Sequence, residues 1–451
     1  MDIIIVGCGK VGRLLADQLN EADNNVTVID INPQRAKEVG ERYDVAYVAG
    51  NGTTHAALSL AGTKDADLLI AVTGADELNL LCCLMAKREG VKQTIARVRS
   101  PQYNGELEYL RKELELAMII NPEYAAAKEI ARVLRFPSAL KIDTFARGKI
   151  ELLKFKLPED SPLCGMAVKE MSAKLHCDIL VCTVERGEDA FIANGDFVFA
   201  PRDIISIIAD EKVAYTFFRK INFKAKQVHD VLIAGGGNTT HYLCEDLAES
   251  GIKVKIIEKD PERTDQLSAL LPNASVNHAD PISREVLLSE GIKNAEAFVA
   301  LTSIDEENIL LSLFAKSVSE GKVITKINRI DFDQVVEKLE LDTIIYPKNI
   351  TSDIILRFVR ASRKAAGTNL ETLYQVIKGK VEAVQFNVEQ KCAITDIPLR
   401  QMQLKDGVLV AAIIREKTAK IPRGQDMIHV GDSVVIVTTQ LGLHDMNDIL
   451  R

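Results

Sequence analysis

The chain has 451 residues, with 56 lysines and arginines against 64 aspartates and glutamates, for a formal net charge of −8. Hydrophobic residues make up 47 % and charged residues 27 %, the composition of a folded globular protein, which excludes intrinsic disorder and argues against a nucleic-acid-binding surface. No run approaches the roughly 18 apolar residues of a membrane helix; the 8 cysteines form no C-x-x-C pair and the 7 histidines no H-x-x-x-H, so neither a disulfide framework nor a metal centre is expected.

Taken in chain order, residues 3–6 read as a short buried strand, and Val11, Leu14, Leu15 and Leu19 follow at the spacing of a helix packed on a sheet. Further strands are expected at 26–29, 45–48 and 68–72, a helix at 77–87, and strands at 94–98 and 118–120. Strands alternating with helices in this way predict a doubly wound parallel sheet. A helix over 124–134 leads out of the sheet and is expected to stop at Phe136-Pro137. Residues 151–208 are strand-rich and carry the turn signal Asn194-Gly195-Asp196. The same sequence of elements then recurs, with strands from 231–233 to 343–345, a helix at 350–361, and a strand-rich tail at 382–437.

The recurrence is a duplication. Gly7 aligns with Gly235 at an offset of 228 residues (235 − 7), and the same offset pairs Asp30 with Glu258, Pro33 with Pro261 and Arg35 with Arg263. An offset of 229 pairs Asp76 and Asn79 with Asp305 and Asn308, and later Asp203 with Asp432; an offset of 225 pairs Pro122 with Pro347. The expected fold is α/β: two tandem copies of a Rossmann-like doubly wound parallel sheet, each followed by a small β-rich α+β domain. The expected domains are residues 1–140, 141–225, 226–366 and 367–451.

Gly7-x-Gly9-x-x-Gly12 follows a strand and opens a helix, the context a dinucleotide fingerprint requires. The first glycine makes the turn, the second admits a pyrophosphate to the backbone, and the third allows close helix packing. The helix start then offers unpaired N–H groups to phosphate. Asp30, ending the second strand, can accept hydrogen bonds from both ribose hydroxyls and would repel a 2′-phosphate, which favours NAD(H) or an adenine nucleotide over NADP(H). In the second copy Gly235 and Gly237 persist, but Thr240 stands at the third glycine and Glu258 at the acidic position. The β-branched Thr240 is expected to narrow or abolish that site, so binding there stays open. Arg97 and Arg99 share one strand face, where they either reach phosphates or pair with an acidic helix; Lys326 and Asn328 take their places in the second half. Asn51 in Gly50-Asn51-Gly52 and Thr73-Gly74 lie after strands at the same sheet edge, as ligand contacts or as plain turns. Asp76-Glu77 suits a helix first turn, and Cys82-Cys83 a helix core.

With these residues in view, the chain resembles the TrkA family, cytosolic regulatory subunits of Trk potassium uptake systems built from tandem RCK (KTN) domains. The resemblance rests on Ile4 through Gly12, Val28-Ile29-Asp30, Ala71-Val72-Thr73, Asp76-Glu77-Leu78-Asn79 and Ile95-Ala96-Arg97-Val98-Arg99, with Leu232 to Asn238, Asp305 to Asn308 and Ile421-Pro422-Arg423-Gly424 in the second half. It implies a non-enzymatic regulator, cytoplasmic and peripheral on the membrane, docked on a Trk-type potassium-translocating subunit. Assembly as a homotetrameric ring and control by NAD(H), ATP or ADP are implied with it. Carried over by position, the ligand contacts are Gly7, Cys8, Gly9, Lys10, Val11, Asp30, Thr73 and Arg97, with Gly235, Gly236, Gly237, Asn238, Thr239 and Glu258 in the second half. Asn51 stands in a loop that often carries an acidic residue in the family. The alternative is an NAD-dependent oxidoreductase, which would need a proton donor facing the nicotinamide; the small, duplicated, histidine-poor tails offer no evident one.

Overall fold

The structure is a computed structural model that describes the chain except for residues 104, 136–140, 146–149, 210, 224–227, 329–335, 337–338, 340, 365–369, 378, 417, 442 and 444. The first α/β block runs β1 (Asp2–Val6), α1 (Lys10–Glu21), β2 (Asn25–Asp30), α2 (Pro33–Tyr43), β3 (Ala46–Ala49), α3 (His55–Leu60), β4 (Leu68–Ala71), α4 (Asp76–Glu89), β5 (Gln93–Arg97), α5 (Leu107–Glu113), β6 (Met118–Ile120) and α6 (Pro122–Arg135). The block after it runs β7 (Lys141–Phe145), β8 (Ile150–Lys156), α7 (Val168–Leu175), β9 (Leu180–Arg186), β10 (Asp189–Ile192), β11 (Ile204–Ile208) and α8 (Glu211–Lys220). The second α/β block gives β12 (Asp230–Ala234), α9 (Asn238–Glu249), β13 (Lys253–Glu258), α10 (Pro261–Leu270), β14 (Ala274–His278), α11 (Arg284–Ser289), β15 (Ala297–Ala300), α12 (Asp305–Val318), β16 (Lys322–Lys326), β17 (Thr343–Ile345) and α13 (Pro347–Lys364). The last block holds β18 (Leu370–Ile377), β19 (Val381–Asn387), β20 (Val408–Arg415), β21 (Thr418–Lys420) and β22 (Ser433–Thr438).

Both α/β sheets are parallel, in the orders β3-β2-β1-β4-β5-β6 and β14-β13-β12-β15-β16-β17, the Rossmann order with its crevice where the winding reverses. The other two sheets have five strands each, β10-β9-β11-β8-β7 and β18-β19-β22-β20-β21, joined by antiparallel pairings. The α/β fold read from the sequence is thus present, twice. Strand ends differ from the expected ones by a residue or two, as where residues 68–72 shorten to β4. The expected stop at Phe136-Pro137 lies outside the described residues.

The chain groups into two compact units, residues 1–135 with 228–356, and residues 136–227 with 357–451. In the first unit the two α/β blocks share a core. Ala126, Ala127, Ile130, Ala131 and Leu134 on α6 are buried in one cluster with Val231, Tyr242, Leu243 and Leu247 of the second block. Each fully buried Ile or Leu there contributes roughly 2 kcal/mol. On α13, Ser352 hydrogen-bonds Gln18 of α1. In the second unit, Ile150, Leu152, Cys182 and Ile208 form one cluster with Val381, Ala383, Ala412 and Val435. Arg186 holds the buried Asp203, and Arg415 holds the buried Asp432 through two hydrogen bonds of 2.8 Å. No helix among the described residues is long and apolar enough to cross a membrane.

Candidate nucleotide site

The site is built at the carboxyl ends of β1, β2, β4 and β5. Gly7 leaves β1 at φ = 106°, a conformation that only glycine adopts without strain. The chain then enters α1 so close to the turn that a Cβ on Gly12 would lie 1.9 Å from the Gly7 carbonyl oxygen. Gly9 precedes α1 without supplying a side-chain cap, which leaves the helix's first amides to other acceptors. Asp30 is 6 % exposed; its Oδ2 accepts from the Cys8 amide at 2.7 Å and its Oδ1 from the Asn32 amide at 2.9 Å. The carboxylate therefore fixes the glycine loop, and each oxygen keeps acceptor capacity for a ligand hydroxyl. Burial, followed by the Asp30 charge, pushes the Cys8 thiol up to about 12, so it stays protonated.

Asp76-Glu77-Leu78-Asn79 does more than open α4. Asp76 accepts from the Arg99 and Ser100 amides at 2.8 and 2.9 Å, while Asn79 accepts from the Thr73 amide and donates to the Arg97 carbonyl. The tetrapeptide thus binds the end of β4 to the end of β5. In the second half Asp305 and Asn308 repeat the arrangement on Asn328, Thr302 and Lys326.

These elements enclose a cavity of about 550 Å³, within the range of small-molecule sites. Gly7, Gly9, Lys10, Val11, Asp30, Asn51, Thr73, Gly74 and Arg97 line it. Cys8, Gly12 and Arg99 do not. Cys8 is buried behind the loop, Gly12 packs on Gly7, and Arg99 turns to the Gly74 carbonyl and to Asp76, the ion pair that the sequence left as one of its two readings. The wall also contains Arg35, Glu123, Asn328 and Lys348. Glu123 and Lys348 went unnoticed in the sequence although both follow the aligned prolines Pro122 and Pro347. Four cations (Lys10, Arg35, Arg97, Lys348) face two carboxylates (Asp30, Glu123) in this wall. Among the described residues Arg97 Nε and Glu123 Oε2 are buried without a hydrogen-bond partner. Burial pushes the Glu123 carboxyl above its ordinary range, with Arg99, Arg97 and Lys326 opposing.

The second half makes the same turn differently. Gly235 has φ = 103°, and the Thr240 hydroxyl donates to its carbonyl at 2.6 Å, so threonine is accommodated by a hydrogen bond where glycine was expected. Glu258 reaches the Gly236 amide at 2.5 Å, and a Cβ on Gly236 would lie 2.9 Å from its carboxylate oxygen. The longer acid and the Leu267 methyl together take up the room that a side chain at Gly236 would need. The cavity here is about 200 Å³, lined by Gly235, Gly236, Gly237 and Glu258 but not by Asn238 or Thr239. Two lysines, Lys259 and Lys326, face three carboxylates, Glu258, Asp280 and Glu307.

Two glycine turns at the switch points of two parallel sheets, one opening on a ligand-sized, net-positive cavity, define a duplicated Rossmann-type fold with one candidate nucleotide site. The TrkA-N domain family model matches residues 3–122 and 231–347, and the TrkA-C domain model residues 152–222. The chain is 30 % identical over 448 residues to Trk system potassium uptake protein TrkA homolog 1 of Methanosarcina mazei, covering 97 % of each. It is 31 % identical to Trk system potassium uptake protein TrkA of Halomonas elongata, covering 97 % of this chain and 95 % of the relative. The chain belongs to the TrkA family. Among solved structures, the GsuK RCK domain shares the fold with a TM-score of 0.63 at 16 % identity, covering 97 % of this chain and 92 % of that one. The GsuK channel bound to NAD aligns with a TM-score of 0.64 at 15 % identity, covering 97 % of this chain and 76 % of that one.

Proposed function

We propose that the chain is a nucleotide-sensing regulatory subunit of a potassium-translocating membrane protein, and that its first half carries the sensing site. The observation that carries this reading is the first cavity, where a glycine turn, a buried ribose-type acid and a net-positive wall meet. The names of the TrkA relatives supply the transport context, and the GsuK channels bound to NAD and to ADP supply the ligands to test. Amides at the glycine loop and the start of α1 hold the pyrophosphate, and Asp30 takes the ribose hydroxyls. Lys10, Arg35, Arg97 and Lys348 offset phosphate charge. The smaller, net-negative second cavity suits a polyphosphate poorly, which favours the first half as the regulatory one.

The site regulates rather than catalyses. Among the described residues no histidine lines the first cavity, and the second copy of the fold, rather than a substrate domain, adds Asn328, Pro347 and Lys348 to its wall. The subunit works as a homotetrameric ring at the cytoplasmic face of the membrane. A nucleotide shifts the ring between conformations by the difference in its affinity for them. The test is potassium flux into vesicles carrying a Trk-type membrane subunit, with this chain and ATP, ADP or NADH added. Nucleotide-dependent flux that disappears with Asp30→Ala supports the proposal. Flux indifferent to nucleotide refutes it, and oxidation of NADH against a panel of keto acids would restore the oxidoreductase.

A further inference from the structure

One hydroxyl from the second half reaches the wall of the first cavity from behind. Tyr242 on α9 is 2 % exposed, and its hydroxyl donates to the Arg99 carbonyl at 3.1 Å while accepting from the Asn121 side-chain amide at 3.0 Å. These partners sit on the two segments that form the cavity's far end. Arg99 lies two residues beyond Arg97, and Asn121 directly precedes Pro122 and Glu123; Arg97, Pro122 and Glu123 all line the cavity. Asn121 also accepts from the Tyr124 amide, capping the start of α6, and Tyr124 stacks edge-on against Tyr242 at 5.4 Å. At the offset of 228 that relates the glycine loops, the counterpart of Tyr242 is Leu14, which has no hydroxyl. The duplicated fold itself therefore does not require this contact.

We propose that Tyr242 is a positioning residue for the first cavity: from the second half it braces the paired ends of β5 and β6, where the Asn121 amide also donates to the Arg99 carbonyl at 3.4 Å, and so fixes Arg97 against the distal part of a bound nucleotide. The inference rests on the nucleotide reading of that cavity. Burial pushes the phenol up to about 12, so the hydroxyl remains a donor across the working pH range. Asp30 ends β2 and the glycine loop follows β1, so adenosine and its first phosphate lie over those strands. The pinned wall, at the end of β5, meets only what extends beyond them.

The predicted signature is therefore selective. Tyr242→Phe keeps the ring and removes the hydroxyl. In calorimetric titrations of the full chain it is expected to weaken ATP about three- to tenfold, a part of what the two lost buried hydrogen bonds are worth, and to leave AMP within about twofold. Unchanged ATP affinity, or equal losses for ATP and AMP, would overturn the proposal, since a general loosening of the fold affects both. A wild-type chain that binds neither nucleotide defeats the reading of the cavity itself, an outcome distinct from a variant that merely matches a binding wild type.

Discussion

Gly12→Ala tests the glycine turn most sharply. The added Cβ would stand 1.9 Å from the Gly7 carbonyl oxygen, where a carbon–oxygen contact needs roughly 3.3 Å. α1 must therefore retreat from the turn by more than about 1 Å. Leu15, Ala16 and Leu19 on its inner face are fully buried, and a gap of that size forfeits about a quarter to a half of each dispersion contact they make. Overpacking of this kind costs about 3 kcal/mol. The amides at the start of α1 move with the helix, and losing one charge-assisted hydrogen bond to phosphate costs about 1.5–3 kcal/mol, roughly ten- to a hundredfold in Kd. Thermal melting and calorimetric titration with ATP read both effects. Thr240→Ala is the contrast: it removes a buried hydroxyl from the Gly235 carbonyl, costs about 1 kcal/mol, and leaves first-half binding intact. Gly12→Ala that melts and binds ATP as the wild type does would refute the reasoning.

Glu123→Gln removes a carboxylate from the wall proposed to face phosphate, and ATP should then bind several-fold more tightly at pH 7.5, about 1 kcal/mol. Because burial raises the Glu123 pKa above 4.5, the folded chain holds that proton more firmly than the unfolded one; the resulting stability is full below 4.5 and fades as pH rises through the raised value. The Gln variant should lack that fade in denaturant titrations across pH, and an unchanged profile would count against the assignment. In the second unit, burial would push the Asp432 carboxyl up, but the Arg415 guanidinium and the His429 amide together hold it below its ordinary 3.8. Its stabilising effect is present above 3.8 and lost as pH falls through the lowered value. Arg415→Ala should cost about 2–3 kcal/mol and start acid unfolding at a higher pH; an unmoved acid midpoint would contradict this.

The glycine turn, Asp30 and the duplication were legible in the sequence because each depends on local spacing. A turn that needs positive φ shows as Gly7 and Gly235, and an acid ending the second strand shows as Asp30 or Glu258. What escaped depends on contacts between distant segments. Glu123 and Lys348 enter the cavity because α6 packs on the second α/β block and the start of α13 approaches the first; only the alignment of Pro122 with Pro347 hinted at it. The Thr240 reading missed a compensation, since it weighed the methyl group's bulk and not the hydroxyl's partner. Arg97 and Arg99 looked equivalent on one strand face, yet β5 ends at Arg97, and beyond it Arg99 is drawn to Asp76. The helices α3 and α5, six and seven residues long, are too short to show a helical period.

The central claim, one nucleotide site in the first of two similar halves, is tested most directly by calorimetric titration of the full chain with ATP, ADP and NADH. Asp30→Ala and Glu258→Ala are measured beside the wild type. Both acids hold their glycine loops through a backbone amide, so the two variants carry comparable structural costs. One site per chain is expected, lost in Asp30→Ala and retained in Glu258→Ala. Two equal sites, or binding that survives Asp30→Ala, would contradict the claim.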